Sequence, residues 1–236
     1  MLFNLTETLR LLIVFVPQLF DSLLLLFLMY KILKRNTNRS SLILSGFYFT
    51  VSIGFILNVV AVMFAFFQPG EVVAIFYFIA TYFIIFSFIF IVIFILSLLK
   101  LRDVFTLKKA FIIILIYGII WLILLLYPGG LTFTENWAPV YSLYLFLTAN
   151  IFFTISITLP IIIYSIRLYS SFEADNLKKK LKIFLFGIAL ILPIIYGVIL
   201  TNTWHDPLFK TVWGIITIVL LFSSALLIYY GIGREL

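Results

Sequence analysis

Asp21 is the side chain in this sequence with the clearest capacity for chemistry. It stands in an apolar stretch, midway between Arg10 and Lys31. If that stretch crosses a bilayer, the carboxyl group lies near its centre, where it is costly unless solvated, protonated or paired. Such groups face a bundle interior or a wet cavity, and they serve proton or ligand traffic. Gln18, at i−3, shares the helix face of Asp21. Pro17, at i−4, weakens the backbone ladder beside it. Two amides stand at a matching depth. Asn58 is about ten residues from Gln68, Asn150 about eleven from Pro139, and Asp21 about eleven from Arg10. At about 1.5 Å per residue, all three lie roughly 15 Å beneath one surface. Side chains at one depth on different helices can converge, so Asp21, Gln18, Asn58 and Asn150 form the predicted ligand-contacting set. For the two asparagines the alternative is packing between helices, worth about 0.6 kcal/mol per bond on average.

Other residue types narrow the chemistry. Pro160 and Pro193 fall inside apolar runs, and each frees a backbone carbonyl. With Pro17 they are the predicted hinge positions. The run Leu177 to Lys182 places Lys178, Lys179, Lys180 and Lys182 beside an apolar run. These lysines should attract anionic lipid headgroups at about 1 kcal/mol each, or a docking partner, or act only as a topology signal. His205 with Asp206 reads as a polar loop, and Thr148, Thr154, Ser156 and Thr158 as helix-contact residues. Asn4-Leu5-Thr6 is a glycosylation sequon. The chain has no cysteine and one histidine, which removes disulfides, Cys-ligated metals and a Cys nucleophile. It has no Gly-rich phosphate loop, no Ser/His/Asp set and no paired carboxylates in one cleft. No catalytic residue, metal or cofactor is predicted, and enzyme activity is not expected.

The elements that must position these residues follow from composition. Of 236 residues, 65% are hydrophobic and 11% charged, with a mean hydropathy of +1.28. Soluble domains are nearer to about half apolar and a quarter charged, so lipid is the predicted solvent. Apolar runs of spanning length fall at 9–31, 42–67, 72–99, 110–127, 139–167, 182–202 and 208–231. Turn residues or charges break them at Asn36 to Ser41, Gln68-Pro69-Gly70, Leu101 to Lys109, Pro128-Gly129-Gly130, Ser170 to Lys180 and His205-Asp206-Pro207. The prediction is an all-α, polytopic bundle of seven transmembrane helices forming one domain, residues 1–236. The first run, of full span length without a basic leader, is read as a helix rather than a cleaved signal.

Orientation follows from the basic residues. Lys31, Lys34, Arg35 and Arg39 share one side with Lys100, Arg102, Lys108, Lys109, Arg167, the lysine run and Arg234; Arg10 and Lys210 fall on the other. The N-terminus is therefore predicted outside and the C-terminus cytoplasmic. The net charge of +7 is then a topology signal, and no nucleic-acid partner is expected. Trp137, Tyr141, Trp204 and Trp213 read as interface anchors near the outer ends. The bias toward Ile, Phe and Lys is that of an AT-rich prokaryotic genome.

Three seven-helix patterns do not fit. A retinal protein needs a lysine in the middle of its last span, whereas Lys210 stands at the outer end. Arg102-Asp103 reverses the acid–arginine order of rhodopsin-like receptors, and the Asn-Pro motif of their last span is missing. Pro17-Gln18 matches the dipeptide of the PQ-loop transporters but does not recur in the fifth span, which has Pro139-Val140 and Pro160-Ile161.

A fourth pattern fits better. Tyr141 to Tyr164 is aromatic-rich and leads to a basic loop; Leu185-Phe186-Gly187, Pro193, Asp206-Pro207 and an Ile/Leu-rich last span follow. Arg39-Ser40 leads into Leu42 and Phe47. In this order of features the chain resembles the seven-helix N-terminal sensor region of some prokaryotic histidine kinases. The resemblance implies a membrane-embedded signal-input module for a small or lipophilic ligand. In that family the last helix continues into an output domain, whereas this sequence stops at Gly233-Arg234-Glu235-Leu236. Signalling through a separate partner, in the membrane or on the basic face, is then expected. The alternatives are a small proton- or cation-coupled transporter using Asp21, and a structural subunit of a membrane complex.

Overall fold

The computed structural model describes residues 15–67, 70–99, 106–134, 137–204 and 206–234. Arg10, the sequon at Asn4, Gln68-Pro69, Lys100, Arg102-Asp103 and His205 lie outside the described residues. Among those described, seven helices are long and apolar enough to span a bilayer, and the chain is a multi-pass membrane protein. They are α1 (Val16–Arg35), α2 (Arg39–Phe67), α3 (Glu71–Leu98), α4 (Leu107–Leu125), α5 (Leu143–Ser171), α6 (Asp175–Thr203) and α7 (Pro207–Gly233).

Polar residues between the apolar runs start several of these helices by satisfying first-turn N–H groups. Asn38 Oδ1 accepts from the Ser41 N–H at 2.8 Å. Ser142 Oγ accepts from Leu145 at 3.2 Å, and Asp206 Oδ1 from Phe209 at 2.8 Å. Pro207 then opens α7, where its missing N–H costs nothing.

Two boundaries depart from the sequence prediction. The fifth span begins at Leu143 rather than Pro139, because Pro139–Tyr141 form strand β2, antiparallel to β1 (Leu131–Phe133) with Leu131 opposite Tyr141. Gly129, in the left-handed region at φ 73°, turns the chain ahead of this hairpin. The sixth helix begins at Asp175 rather than Lys182, so the lysine run is helical. Leucine and lysine are good helix formers, and Asp175 complements the positive N-terminus.

The core follows α3. In α3, 61% of the spanning window is buried, against 22–44% in the others; its second half, Phe88 to Leu96, is enclosed nearly all round. A helix apolar on every side suits that position. The remaining helices turn large apolar groups outward, Phe20, Phe111 and Ile123 among them, which lipid solvates. Helices α6 and α7 approach closely at Gly231, where a Cβ would come within 2.5 Å of the Phe184 backbone nitrogen. Ser224 donates to the Gly187 carbonyl at 2.8 Å across the same contact.

The antiparallel course brings Lys31, Lys34, Arg39, Arg167 and Lys178 to one end of the bundle. There the Arg35 guanidinium donates to the Arg234 carbonyl, tying α1 to α7. The hairpin and Lys210 lie at the other end.

Candidate ligand cavity

Between the hairpin and the middle of the bundle, α1, α2, α3, α6 and α7 surround a cavity of about 210 Å³. A cavity of about 150 Å³ admits benzene, so the space suits a small molecule or part of a larger one. Each wall is one helical face. From α7 it takes Trp213, Gly214, Thr217, Ile218 and Leu221; from α6, Ile191, Ile194, Ile195, Val198, Thr201 and Asn202. Spacings of three and four residues set these faces.

Three of the four predicted contact residues meet here. Asp21, Gln18 and Asn58 all line the cavity. The Asn58 amide Nδ2 donates to Gln18 Oε1 at 3.2 Å, joining α2 to α1. Asp21 is 4% exposed, and its Oδ2 atom is buried without a hydrogen-bond partner. The neighbouring Ser22 carbonyl accepts from Ser52 Oγ at 2.8 Å, which fixes α1 against the middle of α2. The carboxyl therefore sits level with the middle of α2.

Asn150 does not join them. Its Nδ2 donates to the Phe146 carbonyl one turn back, at 2.6 Å, and it is not among the lining residues. Helix α5 turns Leu145, Ala149 and Phe153 into the core, and Asn150 lies about 100° round from Ala149. A count of depth along the chain does not fix this azimuth.

Several lining groups escaped the sequence reading. Trp213 Nε1 and Thr217 Oγ1 are buried without partners, like Asp21 Oδ2. Trp213 packs directly on α6: a Cβ on Gly197 would stand 1.8 Å from its ring. Expected at the interface, it forms part of the cavity wall, and Trp137 lines the same space from the hairpin. Tyr141, also expected at the interface, is 2% exposed; its polar neighbours are Tyr77, Thr81 and Asn202. Lys210 lines the cavity as well. The available signal was the spacing of Trp213, Thr217 and Leu221 along one face of α7.

Of the predicted hinges, Pro160 follows a π-helical turn at Thr154–Thr158. A proline removes its own N–H bond and crowds the carbonyl four residues back, here Ser156, inside that turn. Tyr196 of α6 holds the turn: its hydroxyl lies 2.8 Å from both Thr154 Oγ1 and Thr158 Oγ1. Pro193 faces outward and leaves α6 continuous over Asp175–Thr203. Pro17 stands in the first turn of α1. In the lysine run, Lys179 and Lys182 are exposed and Lys178 and Lys180 half-buried, with Lys182 Nζ 5.7 Å from the centre of the Tyr169 ring.

Comparison with protein-family models, curated proteins and solved structures finds no match to this chain.

Proposed function

We propose that the chain is a membrane-embedded receptor-like module that binds a small or lipophilic molecule around Asp21. The observation that carries this reading is the cavity itself. Its lining is largely apolar, and Asp21 Oδ2, Trp213 Nε1 and Thr217 Oγ1 are turned into the protein without partners. A mostly apolar hollow with a few convergent polar groups is the usual form of a small-molecule site. The unpaired atoms would gain bonds when a ligand arrives.

The resemblance to the sensor regions of prokaryotic histidine kinases supports the same reading. In the proposed orientation the hairpin end is outside and the basic end cytoplasmic. A ligand would press on Ile191, Ile194 and Ile195 of α6, which line the cavity near Pro193. Tyr196 would carry that shift to the π turn of α5, and the signal would pass at the basic end to a partner.

A thermal-stability screen in nanodiscs tests this, with a panel of lipophilic amines, alcohols and acids. At least one class should raise the melting temperature, Asp21→Asn should abolish the response, and proteoliposomes loaded with a pH-sensitive dye should show no flux. Proton flux that disappears in Asp21→Asn would replace this reading with the transporter one. No response from any class, with Asp21→Asn tolerated, would leave the structural-subunit reading.

A further inference from the structure

The cavity has a neighbour on the outside of the bundle. Val16, Pro17 and Phe20 of α1 and Ile218, Val219, Phe222 and Ser223 of α7 border an open groove. Its rims face lipid: Phe20 is 67% exposed, Val219 59% and Phe222 48%. Asp21 and Ile218 border both spaces. Where these two residues stand, a single layer of side chains, one from each helix, separates the hollow interior from the groove, and one of them holds the unpartnered carboxyl oxygen.

This arrangement suits a particular occupant. An alkyl chain in the bilayer already lies among groups like Phe20, Val219 and Phe222 and loses nothing by resting there. A polar head is different: in hydrocarbon it lacks partners, and a buried carboxyl oxygen supplies one. The head that complements a carboxyl is a hydrogen-bond donor able to carry positive charge, because charge-assisted bonds of this kind are the strong ones. At the other end of the cavity the hairpin supplies Trp137 and Pro139 to the wall, whereas at the groove Asp21 and Ile218 border both the interior and the outer surface.

Building on the receptor reading above, we infer that an amine-headed, single-chain amphiphile reaches the cavity sideways from the bilayer, between α1 and α7. Its ammonium group meets Asp21, and its chain lies in the groove against Phe20 and Phe222. Ile218 is the side chain that must swing for the head to pass. Trp213, one turn or more along α7 from the partition, reports its arrival.

Because the chain has no cysteine, one introduced thiol can be addressed specifically. The test uses the full chain in lipid vesicles and follows tryptophan fluorescence as dodecylamine is added. Asp21→Asn and Val219→Cys are compared with the parent, the latter before and after coupling to a bulky maleimide. Labelling after reconstitution leaves folding untouched, and the unlabelled variant controls for the substitution. Dodecylamine should give a saturable response, weakened at least tenfold by Asp21→Asn. Labelled Val219→Cys should associate at least tenfold more slowly than the unlabelled form, and butylamine should respond far more weakly than dodecylamine.

Unchanged association in labelled Val219→Cys, or an equal response to butylamine, would overturn the sideways route and leave the cavity as a binding site. No saturable dodecylamine response, or one indifferent to Asp21→Asn, would overturn the amine assignment. The wider panel of alcohols and acids then decides separately whether the cavity binds anything.

Discussion

A buried polar atom without a hydrogen-bond partner costs on the order of 1–3 kcal/mol, and Asp21 holds one at 4% exposure. Stability alone gives no reason to keep it, because an apolar side chain of similar size would fill the same place. Asp21→Leu should therefore leave the bundle about 1–2 kcal/mol more stable, by the same reckoning, while abolishing ligand response. Reversible unfolding in bicelles measures the first effect; a loss of stability would mean that the carboxyl group makes a supporting contact, and the case for a ligand would weaken. Asp21, Gln18 and Asn58 were legible in the sequence because a polar residue in an apolar run reveals its depth by counting. Asn150 shows the limit of that count. Depth says nothing about which way a residue faces, and a step of one residue turns it from the core. Trp213 and Trp137 were hidden for another reason: indole rings near helix ends are equally suited to headgroups and to cavity walls, and the close packing of Trp213 on Gly197 has no mark in the sequence.

Among the elements, α5 and α6 are joined by a hydroxyl contact at a π turn. The π turn at Thr154–Thr158 widens the helix before Pro160, and the Tyr196 hydroxyl spans it. Single-turn π insertions frequently sit at functional positions, and this one touches the helix that lines the cavity. Hydrogen bonds between membrane helices average about 0.6 kcal/mol, so a hydroxyl shared between two threonines is worth about 1 kcal/mol. Tyr196→Phe keeps the ring contact with Phe153, at 5.4 Å between centroids, and removes only the hydroxyl. It should destabilise the bundle by that amount and enlarge hydrogen exchange over residues 154–160. Unaltered exchange there would show that Pro160 alone sets the turn. Neither the turn nor the hairpin was legible beforehand. Proline marks where a helix ladder weakens but not how the chain relaxes, and strands of three residues are too short for an alternating pattern. The spans were legible because bare polar groups are excluded from lipid, which forces turn residues and charges to their ends.

At the scale of the whole molecule the two halves of the bundle differ. Toward the basic end the interior is solid, with Ile91, Phe94 and Ile95 of α3 and Phe184 of α6 all fully buried and the rings of Phe94 and Phe184 5.5 Å apart. Toward the hairpin it is hollow. The proposed receptor would use that polarity, with a hollow half to receive a ligand and a packed half to pass on its displacement, and on the proposed orientation the packed half faces the cytoplasm. The lysines and arginines near the ends of short loops govern insertion, whereas acidic residues contribute little. Single cysteines in the naturally cysteine-free chain decide the matter. Thr132→Cys in β1 and Lys179→Cys in α6 are both at exposed positions, so neither should disturb folding. A membrane-impermeant maleimide should label Thr132→Cys in intact cells and Lys179→Cys only after the membrane is opened. The reverse pattern would put the lysine run outside, where a cytoplasmic partner could not reach it. The cavity would then face the cytoplasm, and the groove between α1 and α7 would draw on the opposite leaflet.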